Sequence, residues 1–337
     1  MELLLFKPEE HQRLYNCNFY DPNIVPIEDR RQRLLGTVIF PSGATSFILY
    51  ILCVCAMLNR DNRKRASYKL MLLLSFFHLY GITLSGIFTA YFYFYGTVYC
   101  ELPTLIYIMG GYGTATWIGG TIAGSLLSFN RCCEMYSSHV ADTLFGGKKV
   151  YIWMSGPLII WLYCFIFTKP LLFNGIAMSW YFNPHYKYFE DTQGIYVNTM
   201  HTLNNTVTLL TQLMLSMSFV VLYFSRIKGR ATKMSKNDKL MCLQVFIIGL
   251  FEITAGVTFL LQQRFQLSVA LTMLAGVCYF CSQACAPYVY LTFNRTIRNL
   301  VLDMFVPCYK RHSQVSTTHS QAKPSTGSTA QISSKGA

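Results

Sequence analysis

The chain has 337 residues, 53% of them hydrophobic and only 13% charged, about half the charged fraction of a soluble domain. Its net charge is +13. The composition points away from a soluble domain and towards a membrane protein, in which a basic excess belongs to loops rather than to a nucleic-acid surface.

A membrane-crossing helix needs about 20 mostly apolar residues. Residues 1–33 form an N-terminal segment without a signal peptide, since the apolar stretch Leu3–Phe6 is cut short by Lys7-Pro8-Glu9-Glu10. Seven apolar runs follow: Leu34–Leu58, Tyr68–Tyr95, Leu105–Phe129, Val150–Thr168, Leu203–Phe224, Leu240–Leu261 and Leu267–Phe293. A short amphipathic stretch over 295–306 closes the bundle region, 34–306. The tail, 307–337, is rich in Ser, Thr, Gln and Gly and cannot bury a core. It reads equally as a plain solvated tail or as a phosphorylation region that recruits a desensitising partner. The predicted fold class is an all-α membrane protein with a seven-helix bundle.

Lys and Arg set the orientation. The loop after the first span holds Arg60, Arg63, Lys64 and Arg65. The loop after the third has Arg131, Lys148 and Lys149, and that after the fifth has Arg226, Lys228, Arg230, Lys233, Lys236 and Lys239. The opposite loops are poorer: Gly96–Thr104 has no basic residue. The N-terminus is therefore expected outside and the C-terminus in the cytoplasm, although Arg30, Arg31 and Arg33 pull the other way.

Ionisable residues inside spans are costly, hence informative. His78 and Glu252 are the two candidates. Glu252 reads first as a neutral, hydrogen-bonded packing carboxyl and second as the partner of a cationic ligand. His78 reads first as a residue satisfied by a polar neighbour and second as a ligand-contacting or pH-sensing group. No metalloprotease, P-loop or serine-hydrolase motif is present, so neither an enzyme nor a cofactor is expected. The third span carries small residues at Gly111, Ala115, Gly119 and Ala123, with Gly120 and Gly124 beside them. That ridge suits a central helix approached closely by others.

Of the twelve cysteines, the topology puts only Cys17 and Cys100 outside, where an oxidising environment favours pairing. Cys308 follows the amphipathic stretch and is a candidate for palmitoylation. Asn204 begins an outward-facing glycosylation sequon, close to the bilayer.

Two motifs add specificity. Asn130-Arg131-Cys132 ends the third span, and Ala286-Pro287-Tyr288-Val289-Tyr290 ends the seventh, with Asn294 and Arg298 just beyond. These resemble the Asp/Glu-Arg-Tyr and Asn-Pro-x-x-Tyr motifs of rhodopsin-like G-protein-coupled receptors. The chain departs from that pattern at Asn130, which replaces the acid restraining the arginine, at Ser75–His78, where an aspartate is usual, and in the fourth–fifth loop, which lacks a cysteine. A narrower resemblance is to the nematode serpentine receptors of class T (Srt). It rests on Tyr15-Asn16-Cys17, Pro41-Ser42-Gly43, Tyr68-Lys69-Leu70-Met71, Asn130–Glu134, Leu144-Phe145-Gly146-Gly147, and Asn198, His201, Asn204 and Asn205.

The resemblance implies a chemosensory receptor of rhodopsin-like architecture in the plasma membrane, by family in a sensory cilium. A small ligand would bind in the outer half of the bundle, and a heterotrimeric G protein would couple through Asn130, Arg131, Cys132, Pro287, Tyr290, Asn294 and Arg298. Arg131 reads as a switch held by a partner such as Asp238, or more plainly as a charge ending a helix at the membrane edge. Tyr107, Tyr112, Trp117 and Glu252 are candidate pocket residues. The aromatic run Tyr91–Tyr95 reads rather as an interfacial belt. A kinase and an arrestin are the partners implied for the tail, and lipids for the bundle. Two alternatives remain: a ligand-gated channel of inverted seven-helix topology, and a receptor-like protein that does not signal.

Overall fold

The computed structural model describes residues 1–21, 24–186, 188–228, 236–265 and 267–305. The side chains of 226–238 and of 242 lie outside the description, and with them the carboxylate of Asp238. Cys308 and the tail lie outside it as well.

Helices dominate. Two short ones, α1 (Glu2–Phe6) and α2 (Pro8–Tyr15), precede a single turn, α3 (Ile27–Arg30). The bundle is made of α4 (Arg33–Met57), α5 (Ala66–Ile82) continued by α6 (Thr89–Tyr95), and α7 (Pro103–Tyr136). Next come α8 (Ser138–Phe145), α9 (Lys149–Phe167), α10 (Thr199–Lys228), α11 (Lys236–Arg264), α12 (Val269–Phe293) and α13 (Arg295–Phe305). A hairpin of β1 (Leu172–Asn174) and β2 (Ser179–Tyr181) stands between α9 and α10.

Six stretches among the described residues are long and apolar enough to cross a membrane. The seventh long helix, α7, falls short on composition and is the central one. It spans 34 residues and buries 22 of them, many Gly, Ala and Thr. A helix wrapped by protein need not be greasy; it must be narrow. A Cβ on Gly119 would meet the Phe77 ring at 2.6 Å, and one on Gly124 would run into the Glu252 carboxylate. The small-residue ridge is where α5 and α11 press against α7.

The second predicted span is not one regular helix. Between α5 and α6 the backbone makes a π-helical segment, Thr83–Phe88. There the chain crosses α4 with glycine against glycine: a Cβ on Gly43 would lie 2.8 Å from Gly86 Cα. The Thr89 hydroxyl donates to the Leu84 carbonyl, five residues back, at 2.9 Å, which satisfies a group the π turn loosens. After this turn the aromatic run divides by helical period. Tyr91 and Tyr95 are exposed, as a belt requires, but Phe92 and Tyr93 are core residues packed on Phe173. The expectation of a belt is corrected for these two.

Cys17 and Cys100 form a disulfide. It fastens the N-terminal segment over one end of the bundle. There Tyr15 packs edge-on against Tyr107, and the Tyr99 and Tyr196 hydroxyls donate to the Tyr15 and Leu14 carbonyls. At the other end α13 buries Ile297 and Val301 and exposes Leu302 and Phe305.

Candidate functional site

At the disulfide end a cavity of about 200 Å³ opens between α7, α10, α11 and α12, beneath the hairpin. Asn174-Gly175 turns that hairpin. The Asn174 side chain accepts from the Ile176 and Ala177 amides at 2.9 and 3.2 Å. Met178 completes the turn at φ 56°, and Tyr93 donates to its carbonyl at 3.0 Å. The fixed turn sends Trp180, Tyr181 and Phe182 over the cavity. Trp180 is held by its indole bond to Thr89, 3.0 Å, and Tyr181 stacks on Tyr186 at 3.9 Å.

The walls are mostly aromatic. Trp117 of α7 meets Phe259 at 5.3 Å and Tyr279 at 5.5 Å, both edge-on. The polar side is built by His201, Gln262 and Gln263. Gln263 Nε2 lies 2.7 Å from His201 Nδ1, and the Trp117 indole donates to Asn205 Oδ1 at 2.7 Å. Two buried polar atoms here have no hydrogen-bond partner, His201 Nε2 and the Tyr279 hydroxyl. No Asp, Glu, Lys or Arg lines the cavity among the described residues.

Of the candidate pocket residues, Trp117 is in this wall and the other three are elsewhere. Tyr107 is buried under the N-terminal segment between His11 and Tyr15. Tyr112 looks away, packed on Tyr80, Trp161 and Phe165. Glu252 lies outside the cavity lining, and its Oε2 accepts from Gln212 at 2.7 Å. His78 Nε2 is 3.9 Å from the other Glu252 oxygen, and His78 Nδ1 is 3.0 Å from the Tyr50 hydroxyl. These side chains tie α4, α5, α10 and α11 together around Gly124. Sequence reasoning missed the hairpin, His201 as a wall residue, and Gln263. Asn-Gly between hydrophobic runs was the available signal for the hairpin. Nothing in the sequence pairs His201 with Gln263, 62 residues away.

The Arg131 end is of the opposite character. A cavity of about 390 Å³ is lined by Lys64, Arg65, Lys69, Asn130, Arg131 and Glu134, among others. Arg131 Nη1 lies 2.6 Å from Glu134 Oε2, and Nη2 rests 4.0 Å from the Met71 sulfur. Gln244 of α11 reaches the same sulfur at 3.8 Å. Arg131 thus has an acidic partner in Glu134, one turn after it, where Asn130 directly before it carries no charge. Asn130 itself is fully buried, with neither amide atom bonded. Cys132 Sγ points to the Leu215 carbonyl of α10 at 3.7 Å.

On α12, the Pro287 carbonyl faces Cys53 Sγ at 4.0 Å, and Tyr290 is buried edge-on against Tyr50. Asn294 joins two helices: its Oδ1 accepts from the Ile297 amide at 3.2 Å and from the Tyr68 hydroxyl at 3.4 Å. Arg298 donates to the Thr292 carbonyl at 3.2 Å. Asn204 is inside α10, its amide donating to the Thr121 hydroxyl of α7 at 3.1 Å. That contact gives the Asn204 amide a partner within the bundle.

The geometry thus has an aromatic cavity at one end and a basic cavity around an arginine at the other. The family description "Serpentine type 7TM GPCR chemoreceptor Srt" matches residues 3–314 of the chain. Serpentine receptor class T-55 of Caenorhabditis elegans is 23% identical over 245 residues, which cover 72% of this chain and 66% of that protein, a little under two thirds of its length. The chain is a multi-pass membrane protein and belongs to the Srt family of serpentine seven-transmembrane chemoreceptors.

Proposed function

We propose that the chain receives a small ligand in the Trp117 cavity and passes the signal to a heterotrimeric G protein at the Arg131 end. In this reading residues 1–33 and the disulfide lie outside. The Arg131 end, α13 and the tail lie in the cytoplasm, and the membrane is the plasma membrane of a sensory cell. The basic loops favour that orientation. Two of the basic residues that pull the other way form ion pairs, Arg30 with Glu101 at 2.9 Å and Arg31 with Glu28 at 3.0 Å.

The observation that carries the reading is that α7 serves both ends. Trp117 is in the cavity wall and Arg131 in the basic opening, about 21 Å apart along a helix rising ~1.5 Å per residue. A ligand that binds one arrangement of α7, α11 and α12 better than another shifts the population of both ends together. Arg131 would leave Glu134 and meet the G protein as α11 moves off Met71. Pro287, Tyr290, Asn294 and Arg298 hold the neighbouring end of α12 and α13 for that movement.

The test is G-protein activation in cells expressing the receptor, with and without ligand. Activation lost in Arg131→Ala at unchanged surface level supports the reading. No activation of any G-protein class would leave a receptor-like protein that does not signal.

A further inference from the structure

The cavity wall contains a chain of hydrogen bonds whose direction is fixed at one end. An indole N–H can only donate. Trp117 Nε1 lies 2.7 Å from the Asn205 side chain, so the atom facing it is the amide oxygen. The Asn205 amide nitrogen is then turned the other way, and it points at His201 Nδ1, 3.4 Å away. An NH₂ group brings hydrogens, so Nδ1 must be an acceptor. Gln263 brings its own amide nitrogen to the same atom at 2.7 Å. A ring nitrogen accepting from two amides carries no proton. The single proton of the neutral imidazole is therefore on Nε2.

That N–H is buried, has no partner, and belongs to a residue of the cavity wall. The Tyr279 hydroxyl is also unpartnered there, but a hydroxyl rotates to donate or accept and so sets no sign. His201 does set one. A buried donor left unpaired costs free energy, and a ligand that pairs it recovers that cost. No carboxylate, Lys or Arg lines the cavity among the described residues, so no opposite full charge is there to pair an ionic ligand. The volume, about 200 Å³, is below the roughly 300–1,000 Å³ of pockets for drug-sized molecules.

We infer that this receptor selects small, uncharged, largely apolar ligands bearing a hydrogen-bond acceptor such as a carbonyl oxygen, and that His201, set by Trp117, Asn205 and Gln263, is the residue that selects them. The inference rests on the reading of this cavity as the ligand site. An ammonium ligand brings donors to the His201 donor and leaves it unpaired, and a ketone gains on the alkane of the same length relative to a cavity without the donor. Asn205 and Gln263 act through His201 as positioning residues.

The test uses purified full-length receptor and four probes of matched length: heptan-2-one, heptane, heptan-2-ammonium and heptanoate. Affinities are read from the concentration dependence of the thermal midpoint. Nitrogen-15 NMR of labelled histidine, with His201 assigned by its loss in His201→Phe, reports which ring nitrogen holds the proton. The expected result is a protonated Nε2, both ions bound more weakly than the ketone, and a ketone-to-heptane affinity ratio roughly tenfold higher in the wild type than in His201→Phe, where the carbonyl loses its water and gains no donor. His201→Gln, which keeps an N–H, restores part of the ketone preference. Gly276→Leu is the control for the cavity itself. A Cβ there meets nothing nearer than the Tyr93 hydroxyl at 3.8 Å, so the backbone accepts the change while the side chain fills the space.

A proton on Nδ1, or a ketone-to-heptane affinity ratio that His201→Phe leaves unchanged, overturns the inference. If Gly276→Leu still abolishes heptane binding in that case, the cavity stands as the site and only its selectivity is wrong. Binding untouched by Gly276→Leu, or no stabilisation of the wild type by ketone or heptane, removes both.

Discussion

Arg131 and Glu134 are paired within a single turn of α7, guanidinium to carboxylate at 2.6 Å, with Arg131 buried and Glu134 about one-third exposed. The carboxylate side of the pair is open to solvent, which screens it, so the pair contributes only about 1 kcal/mol to stability. Its importance is in what the arginine is free to do. Glu134→Gln releases the guanidinium while keeping the shape. The expected outcome is ligand-independent G-protein activation several-fold above wild type, with a thermal midpoint within a few degrees. Arg131→Ala in the same background should abolish it. A silent Glu134→Gln would show that the pair does not restrain signalling.

The disulfide has the largest structural share at the opposite end. Cys17 and Cys100 are separated by 83 residues. Cross-linking so long a loop removes about 4.5 kcal/mol of chain entropy in the loop-closure account, against a more usual 2–4 kcal/mol measured. Cys17→Ser and Cys100→Ser should each lower the thermal midpoint by the same amount, and the double variant no further. Reductant should lower the wild type to that level and leave the variants unchanged.

Gly124 tests the polar cluster around Glu252. Any side chain there runs into the carboxylate and would displace it from Gln212. Gly124→Ala is expected to cost about 1–3 kcal/mol, the range for overpacking a tight core. Glu252→Ala removes the obstacle, so the double variant should lose less than the sum of the singles. Simple additivity in thermal unfolding would mean that the two do not share space.

Acid should loosen the N-terminal cover. His11 stands against Tyr107, and His185 against Phe19 at 4.3 Å. Burial lowers the pKa of both. The N-terminal ammonium adds to this at His11, while donation to the Asn16 backbone partly opposes it at His185. With the folded pKa below the unfolded value of about 6.5, the unfolded cover binds more protons. Docking is then strongest above about pH 6.5 and weakens as the pH falls through the folded values. Amide exchange over residues 8–20, corrected for intrinsic rate, should rise between pH 7.5 and 5.5, and should rise less in His185→Phe.

The bundle was legible because each lipid-facing helix is a continuous apolar run, and length alone then decides. The centrality of α7 was legible for a different reason: its glycines recur at the spacing of one face. The disulfide followed from topology. What stayed hidden depends on pairings far apart in the chain. The π turn leaves no mark in residues 83–88, whose apolar pattern suits either helix. Trp117 could be placed near a pocket, but Tyr107, Tyr112 and Glu252, aromatic or costly in the same way, point to other faces. Glu134 was in view throughout; at three residues' spacing on a helix its side chain meets that of Arg131.

The central claim is that the aromatic cavity faces outward and Arg131 faces the cytoplasm. An epitope fused ahead of residue 1, stained on intact and on permeabilised cells, tests it without a ligand. Staining of intact cells is the expected result and sets Arg131 where a G protein reaches it. Staining only after permeabilisation would turn Arg131 outward, contradict the receptor reading, and favour the inverted-topology channel.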